Sequence, residues 1–147
     1  MRPDWDSYFL NIADTASDRS TCKRRSVGCV IVDAKNHIAS IGYNGVPRGF
    51  SHCIDAPCGG ENYPSGEGLE DCIAVHAELN AFLQLAGRSY KEPLTLYTQC
   101  TPCIHCTKVI CNSDIKRVVV RVWYAHRSVE SLFQQAGIEL VVKDVSS

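Results

Sequence analysis

The sequence lacks the marks of several protein classes. No apolar run approaches the ~20 residues that cross a bilayer. Neither sign of charge dominates: fifteen Lys and Arg stand against sixteen Asp and Glu, a formal net charge of −1. A chain built for a long nucleic acid usually carries a basic excess to meet the phosphates, so a small-molecule partner fits this balance better. With 45% hydrophobic and 21% charged residues, the composition is not that of a disordered chain. There is no internal repeat, linker or low-complexity tail. The opening Met1-Arg2-Pro3-Asp4-Trp5-Asp6 carries acids where an export signal would carry bases and then an apolar stretch. The expectation is one soluble, cytoplasmic domain over residues 1–147, long enough to bury roughly 68–70% of its unfolded surface.

What the chain has in excess is cysteine: nine, at positions 22, 29, 53, 58, 72, 100, 103, 106 and 111. An odd count, the length and the absent export signal argue against a disulfide scaffold. In a reducing compartment, clustered cysteines hold metal or perform chemistry.

Apolar spacing over Asp4 to about Arg19 predicts an amphipathic helix, with Trp5, Phe9, Ile12, Ala13 and Ala16 on one side. Val27–Val32 and His37–Tyr43 predict a hairpin about a turn at 33–36. Periodicity then disappears from Gly45 to Asp71, a stretch of six Gly, three Pro and two Cys. So long an irregular segment in a compact domain is normally functional, or pinned by something other than a core. Helices are predicted over Cys72–Leu85, Pro102–Asn112 and Ser128–Ala136, the last ended by Gly137. Strands are predicted over Leu94–Thr98, Arg117–Tyr124 and Ile138–Val142. The order α-β-β-insert-α-β-α-β-α-β predicts an α/β fold, a five-stranded mixed sheet with helices on both faces.

Two motifs open consecutive predicted helices: His76-Ala77-Glu78 and Thr101-Pro102-Cys103-Ile104-His105-Cys106. Pro102 suits a first helical turn, where its missing N–H costs nothing. Cys103 and Cys106, three apart, are expected to share a helix face, and the helix N-terminus favours their thiolates. Two thiolates and an imidazole supply three of zinc's four positions, leaving the fourth open, as catalytic sites do. Zinc lowers the pKa of bound water towards ~7, and Glu78 is placed to move its proton to a ring nitrogen and then to a leaving amine. Taken singly, a Cys-x-x-Cys fits a redox pair or structural zinc, and a His-Ala-Glu an ordinary helix start. Together they form the H-x-E…P-C-x-x-C arrangement of zinc nucleobase deaminases.

Cys22, Cys53, Cys58 and Cys72 lie in or beside the glycine-rich insert at about 45–73. A closed Cys₄ zinc site would staple that segment, since ligation supplies folding free energy that a missing core does not. His52 is adjacent and could replace one sulfur. Cys29, Cys100 and Cys111 lie in or next to apolar elements and read as small core residues. His105, between the two ligand cysteines, is expected off their face.

The chain resembles the deoxycytidylate (dCMP) deaminases of bacterial and phage type, within the cytidine deaminase superfamily, from Trp5 to about Val142. The resemblance rests on Ser20-Thr21-Cys22-Lys23-Arg24-Arg25-Ser26-Val27-Gly28, on Gly42-Tyr43-Asn44-Gly45-Val46-Pro47-Arg48-Gly49, on Cys72-x-x-x-His76-Ala77-Glu78-Leu79-Asn80-Ala81 and on Pro102-Cys103-x-x-Cys106. It implies a three-layer α/β/α fold and hydrolysis of dCMP to dUMP and ammonia, a source of thymidylate precursor. It implies His76, Cys103 and Cys106 on the catalytic zinc, Glu78 as proton shuttle, and Arg25, Asn44, Ala77 and Tyr124 around the substrate, with Arg25 near the 5′-phosphate and Asn44 on the sugar hydroxyl. It implies activation by dCTP and inhibition by dTTP, an effector loop at Asn44, Gly45, Val46, Pro47 and Gly49, Mg with the triphosphate, and a homohexamer. Some phage relatives place a His and an acid before the His-Ala-Glu motif for the structural metal. Here Ala74 takes the acidic position, and Cys58 and Cys72 favour an all-cysteine site.

Four other readings stay open. A dual dCMP/dCTP deaminase would look the same, because sequence gives no pocket volume. A tRNA adenosine deaminase would share both motifs but carry a basic surface. A free-cytidine deaminase would lack the phosphate-binding groups and the Cys22/Cys53 pair. A non-catalytic nucleotide sensor would have no need of Glu78.

Overall fold

The computed structural model of the chain describes residues 1–22, 25–52, 73–124 and 127–143. Its elements run α1 (Trp5–Ser17), β1 (Gly28–Val32), β2 (Ile38–Tyr43), α2 (Ala77–Leu85), β3 (Leu94–Cys100), α3 (Ile104–Cys111), β4 (Ile115–Val122), α4 (Arg127–Ala136) and β5 (Glu139–Val142). The predicted order therefore holds, and most of the expected insert, 53–72, lies outside the described residues.

The strands form one sheet in the order β2-β1-β3-β4-β5. β1 is antiparallel to β2 and β3, while β3, β4 and β5 run parallel. All five residues of β1 are buried, the continuous apolar pattern of a strand covered on both sides. Alternation along the strands sorts two cores. Val30, Val32, Tyr97 and Val119 meet Phe9, Leu10 and Ala13 of α1. Ile31, Leu96, Val118 and Val120 on the opposite face meet Ala77, Ala81 and Leu85 of α2, Ile110 of α3 and Val129 and Phe133 of α4. The result is three layers, with α1, among the described residues, the one helix on its side.

Local chemistry ends the elements where the composition suggests. The Asp4 carboxylate accepts the Ser7 N–H at 2.8 Å and caps α1. Gly137, at φ 70°, closes α4: its N–H reaches Gln134 O at 3.1 Å and the Ile138 N–H reaches Phe133 O at 2.9 Å, the paired bonds of a Schellman stop. Two glycines let the helices lie close on the sheet. A Cβ at Gly28 would stand 1.9 Å from the Ala13 carbonyl oxygen in α1, and one at Gly42 only 2.3 Å from the Ala77 carbonyl oxygen in α2.

Ion pairs also tie α1 to the parallel strands. Arg117 on β4 donates to both Asp6 oxygens, at 2.8 and 2.7 Å, and the Tyr97 hydroxyl donates to the same carboxylate at 2.8 Å. Arg121 reaches Asp14 at 2.7 Å, and Lys143 reaches Asp4 at 2.6 Å. The hydrogen bond from Arg117 holds the Asp6 carboxyl below its ordinary 3.8.

Two outcomes are expected. Gly42→Ala should cost at least the ~1–3 kcal/mol of an overpacked core, read as a lower urea midpoint with an unchanged slope. Because the Asp6 pKa is depressed by folding, its contribution is complete above the ordinary value of 3.8 and is lost as pH falls through the native one. Asp6→Asn should therefore lower stability at neutral pH and flatten its acid-side decline; an unchanged decline in urea titrations across that range would rule this out.

Candidate metal centre and active site

The site forms beyond the end of β3, where two helices begin. α2 starts at Ala77, later than the expected Cys72, because the preceding residues run extended and pair elsewhere. Val75 bridges Gly45 by two backbone bonds: Gly45 N–H to Val75 O at 3.2 Å, and Val75 N–H to Gly45 O at 2.7 Å. The Asn80 side chain reinforces that link by donating to the Tyr43 carbonyl at 2.8 Å. His76 is the N-cap residue of α2, yet its side chain makes no capping bond. Its Nδ1 lies instead 3.4 Å from Cys103 Sγ and 3.3 Å from Cys106 Sγ.

Both sulfurs come from the start of α3, which begins later than expected. Cys103 is itself the N-cap of α3, so Pro102 precedes the helix rather than standing in its first turn. Cys103 and Cys106 stand at the N-cap and the third position of α3, three residues apart. A capping interaction brings them together, with the Cys106 N–H donating to Cys103 Sγ at 3.4 Å. His105 is exposed beside them, as expected.

All three ligand atoms lie within 4.8 Å of one another, and among the described residues no fourth His, Cys, Asp or Glu joins them. Ligands of a tetrahedral zinc, with Zn–N of ~2.0–2.1 Å and Zn–S of ~2.3 Å, stand about 3.5 Å apart. The observed nitrogen–sulfur spacings fit that ion. Hydrogen bonding to Cys106, aided by His76, holds the Cys103 thiol well below its ordinary value, while the bond to Cys103 and burial push Cys106 up. A thiophilic divalent cation bound there would displace the thiol protons.

Glu78 follows in the first turn of α2 and is only 5% exposed. Burial raises its carboxyl above the ordinary value, against the pull of its own backbone N–H and of His76. A carboxyl poised in this way can both take and return a proton. Burial, with the Glu78 charge adding, likewise pushes up the thiols of Cys29 and Cys100. Cys29 and Cys100 are buried, in keeping with their expected place in the core, and Cys111 is partly buried against it.

The remaining predicted residues fall in three groups. Arg25, Asn44, Ala77 and Tyr124 gather around this end of the sheet. Asn44 is buried and braces the backbone, accepting from Val27 N–H at 2.8 Å and donating to Arg25 O at 2.7 Å. Ala77 is fully buried at the start of α2, and Tyr124 is 60% exposed. In the expected effector loop, Gly45 holds the bridge to Val75, Gly49 sits at φ 83°, and Phe50 N–H returns to Pro47 O at 3.1 Å. Of the expected structural-zinc ligands, Cys22 is half-buried with its N–H on Ser20 Oγ at 3.3 Å; Cys53, Cys58 and Cys72 lie outside the described residues.

Sequence reasoning missed a connection at the end of β3. The Arg25 guanidinium donates to Cys100 Sγ and stands 5.6 Å above the Tyr124 ring, while Thr101 Oγ1 accepts the Tyr124 N–H at 2.9 Å. The available signal was period-2 alternation, which puts Cys100 on the α2 side of the sheet.

Comparison with known proteins decides the family. Residues 3–122 match the cytidine and deoxycytidylate deaminase zinc-binding region. The chain belongs to that family. Within it, the chain is 42% identical over 125 residues to the deoxycytidylate deaminase of Mycobacterium phage D29, covering 80% of this chain and 94% of the phage protein. It is 40% identical over 143 residues to the deoxycytidylate deaminase of Schizosaccharomyces pombe, covering 95% of this chain. The chain spans 44% of that fungal protein's length. The crystal structure of dCMP deaminase from cyanophage S-TIM5 in complex with dCMP and dUMP superimposes with a TM-score of 0.75 at 30% identity, over 95% of this chain and 97% of that one. The three-layer fold is accordingly cytidine-deaminase-like.

If the three ligand atoms hold zinc, Cys106→Ser should lower the metal content by about one ion per chain, measured by atomic emission after dialysis against a weak chelator. The circular dichroism of the sheet should persist. Unchanged zinc would remove the triad from the metal site.

Proposed function

We propose that the protein is a zinc-dependent hydrolase that converts dCMP and water to dUMP and ammonia, supplying thymidylate precursor. The observation that carries the reading is the His76–Cys103–Cys106 triad with buried Glu78 two residues from its imidazole ligand. The described donor set stops at three, which leaves a tetrahedral ion one open position. Zinc bound there would supply Lewis acidity, lowering the pKa of a coordinated water towards ~7.

The chain's own groups then divide the work. Glu78 takes a proton from the attacking water and delivers it to the pyrimidine ring nitrogen, then assists departure of the amine as ammonia. Its burial keeps that proton from exchanging with bulk solvent. The backbone at Ala77 lines the base side, Arg25 meets the 5′-phosphate, Asn44 faces the sugar hydroxyl while bracing Arg25 and Val27, and Tyr124 walls the outer side. The phage and fungal relatives named as deoxycytidylate deaminases, and the S-TIM5 enzyme crystallised with dCMP and dUMP, support this choice of substrate.

Control and assembly belong to the same reading. dCTP, accompanied by Mg, activates and dTTP inhibits through the loop from Asn44 to Gly49, whose bridge to Val75 lies next to His76. Cys22, Cys53, Cys58 and Cys72 hold a second, structural zinc. The working form is a homohexamer in the cytoplasm, and among the described residues no helix is long and apolar enough to cross a membrane.

Ammonia release from dCMP, dCTP, CMP and cytidine, each with and without dCTP or dTTP, tests the whole proposal. Turnover is expected on dCMP alone, raised by dCTP and suppressed by dTTP. Glu78→Gln should lower kcat by about 10²–10⁴-fold while zinc content and dUMP binding persist. Zinc-loaded protein inactive on all four would overturn the assignment.

A further inference from the structure

Arg25 is held at both ends. Its carbonyl accepts from Asn44 Nδ2 at 2.7 Å and from Ser20 Oγ at 3.4 Å. Its guanidinium donates to the sulfur of Cys100, the last residue of β3, and lies over the face of Tyr124. The anchors are themselves rigid. Cys100 is 9% exposed and pairs in register with Val122 of β4, and Tyr124, two residues on, is tied back to Thr101. Three residues after Cys100 comes Cys103, the first sulfur of the metal triad, so one short stretch of backbone relates the guanidinium to the reacting centre.

A long, rotamer-rich side chain loses substantial entropy when a ligand first orders it. Contacts that order it beforehand move that cost from binding to folding. A thiol is a weak acceptor, suited to orienting a guanidinium without neutralising it as a carboxylate would. The aromatic face adds attraction of the same modest kind.

We propose that Cys100 is a positioning residue, its sulfur and the Tyr124 ring together fixing the Arg25 guanidinium for the 5′-phosphate of the nucleotide. This rests on the dCMP reading above, and assigns phosphate recognition a determinant on β3 as well as the basic residue itself.

The test compares Cys100→Ala, Cys100→Ser and Arg25→Ala in the zinc-loaded protein. Readouts are kcat and KM for dCMP, kcat/KM for deoxycytidine, and dUMP affinity by calorimetry. Cys100→Ala should raise KM for dCMP and Kd for dUMP about tenfold, the scale of one hydrogen bond to a charged group. Its kcat and its deoxycytidine turnover should stay within about twofold, and Cys100→Ser should recover most of the lost affinity. Equal losses on dCMP and deoxycytidine would make Cys100 a packing residue and overturn the proposal. An unchanged Cys100→Ala beside a weakened Arg25→Ala would also overturn it, while leaving phosphate recognition with Arg25. If Arg25→Ala itself shows no phosphate-dependent loss, both readings fall together. Should Cys100→Ala not fold, Cys100→Val, which fills the buried position without an acceptor, carries the same comparison.

Discussion

The meeting of one imidazole with two sulfurs depends on how closely α2 can lie against β2, and that approach is set by the missing side chain at Gly42. A Cβ there would strike the first turn of α2, at the carbonyl oxygen of Ala77. The same turn carries His76 and Glu78, so a steric constraint in the sheet becomes a constraint on the ligand triangle. The bridge between Gly45 and Val75 and the bond from Asn80 to Tyr43 fix the helix along its axis as Gly42 fixes it in depth. α3 enters from the other side, started by Cys103 and drawn in by its capping bond to Cys106.

Two helix N-termini thus point at one small volume, where their dipoles favour negative charge. That is the field in which two thiolates can be held next to a buried carboxyl. Burial works against charge at Glu78, Cys29 and Cys100, while hydrogen bonding favours it at Cys103. Opposite physical causes, burial and hydrogen bonding, thus act on neighbouring groups of one site. A metal cation held by His76, Cys103 and Cys106 would complete this arrangement by supplying positive charge beside the thiolates.

The opposite layer has another task. α1 packs Phe9, Leu10 and Ala13 on the sheet and is tied to β4 through Asp6, Asp14, Arg117 and Arg121. Gln99 adds a polar stitch, accepting from Gly28 N–H at 2.8 Å and donating to Ala13 O at 3.0 Å. Anchored on that side, β3 holds its other face steady, where Cys100 and then Cys103 emerge.

Much of this could be read along the chain, because the signals were local. Period-2 and period-3.6 patterns marked the elements and their order, and the H-x-E and P-C-x-x-C spacings marked the three residues whose ligand atoms the fold brings together. Helix starts were misplaced at both motifs, since the extended pairing of Val75 with Gly45 and the capping by the Cys103 sulfur depend on partners elsewhere in the structure. Cys100 read as core for the same reason: its apolar neighbours in sequence gave no sign of Arg25, 75 residues away. By itself the sequence determined which chemical groups this protein carries, in what order and with what local spacing. Tertiary structure decided that α1 would pack on the face opposite α2, α3 and α4, that two helix starts would meet at one end of β3, and that Arg25 would rest on Cys100 and Tyr124. Those contacts join residues far apart along the chain, and only the packing of helices on a twisted sheet brings them within reach.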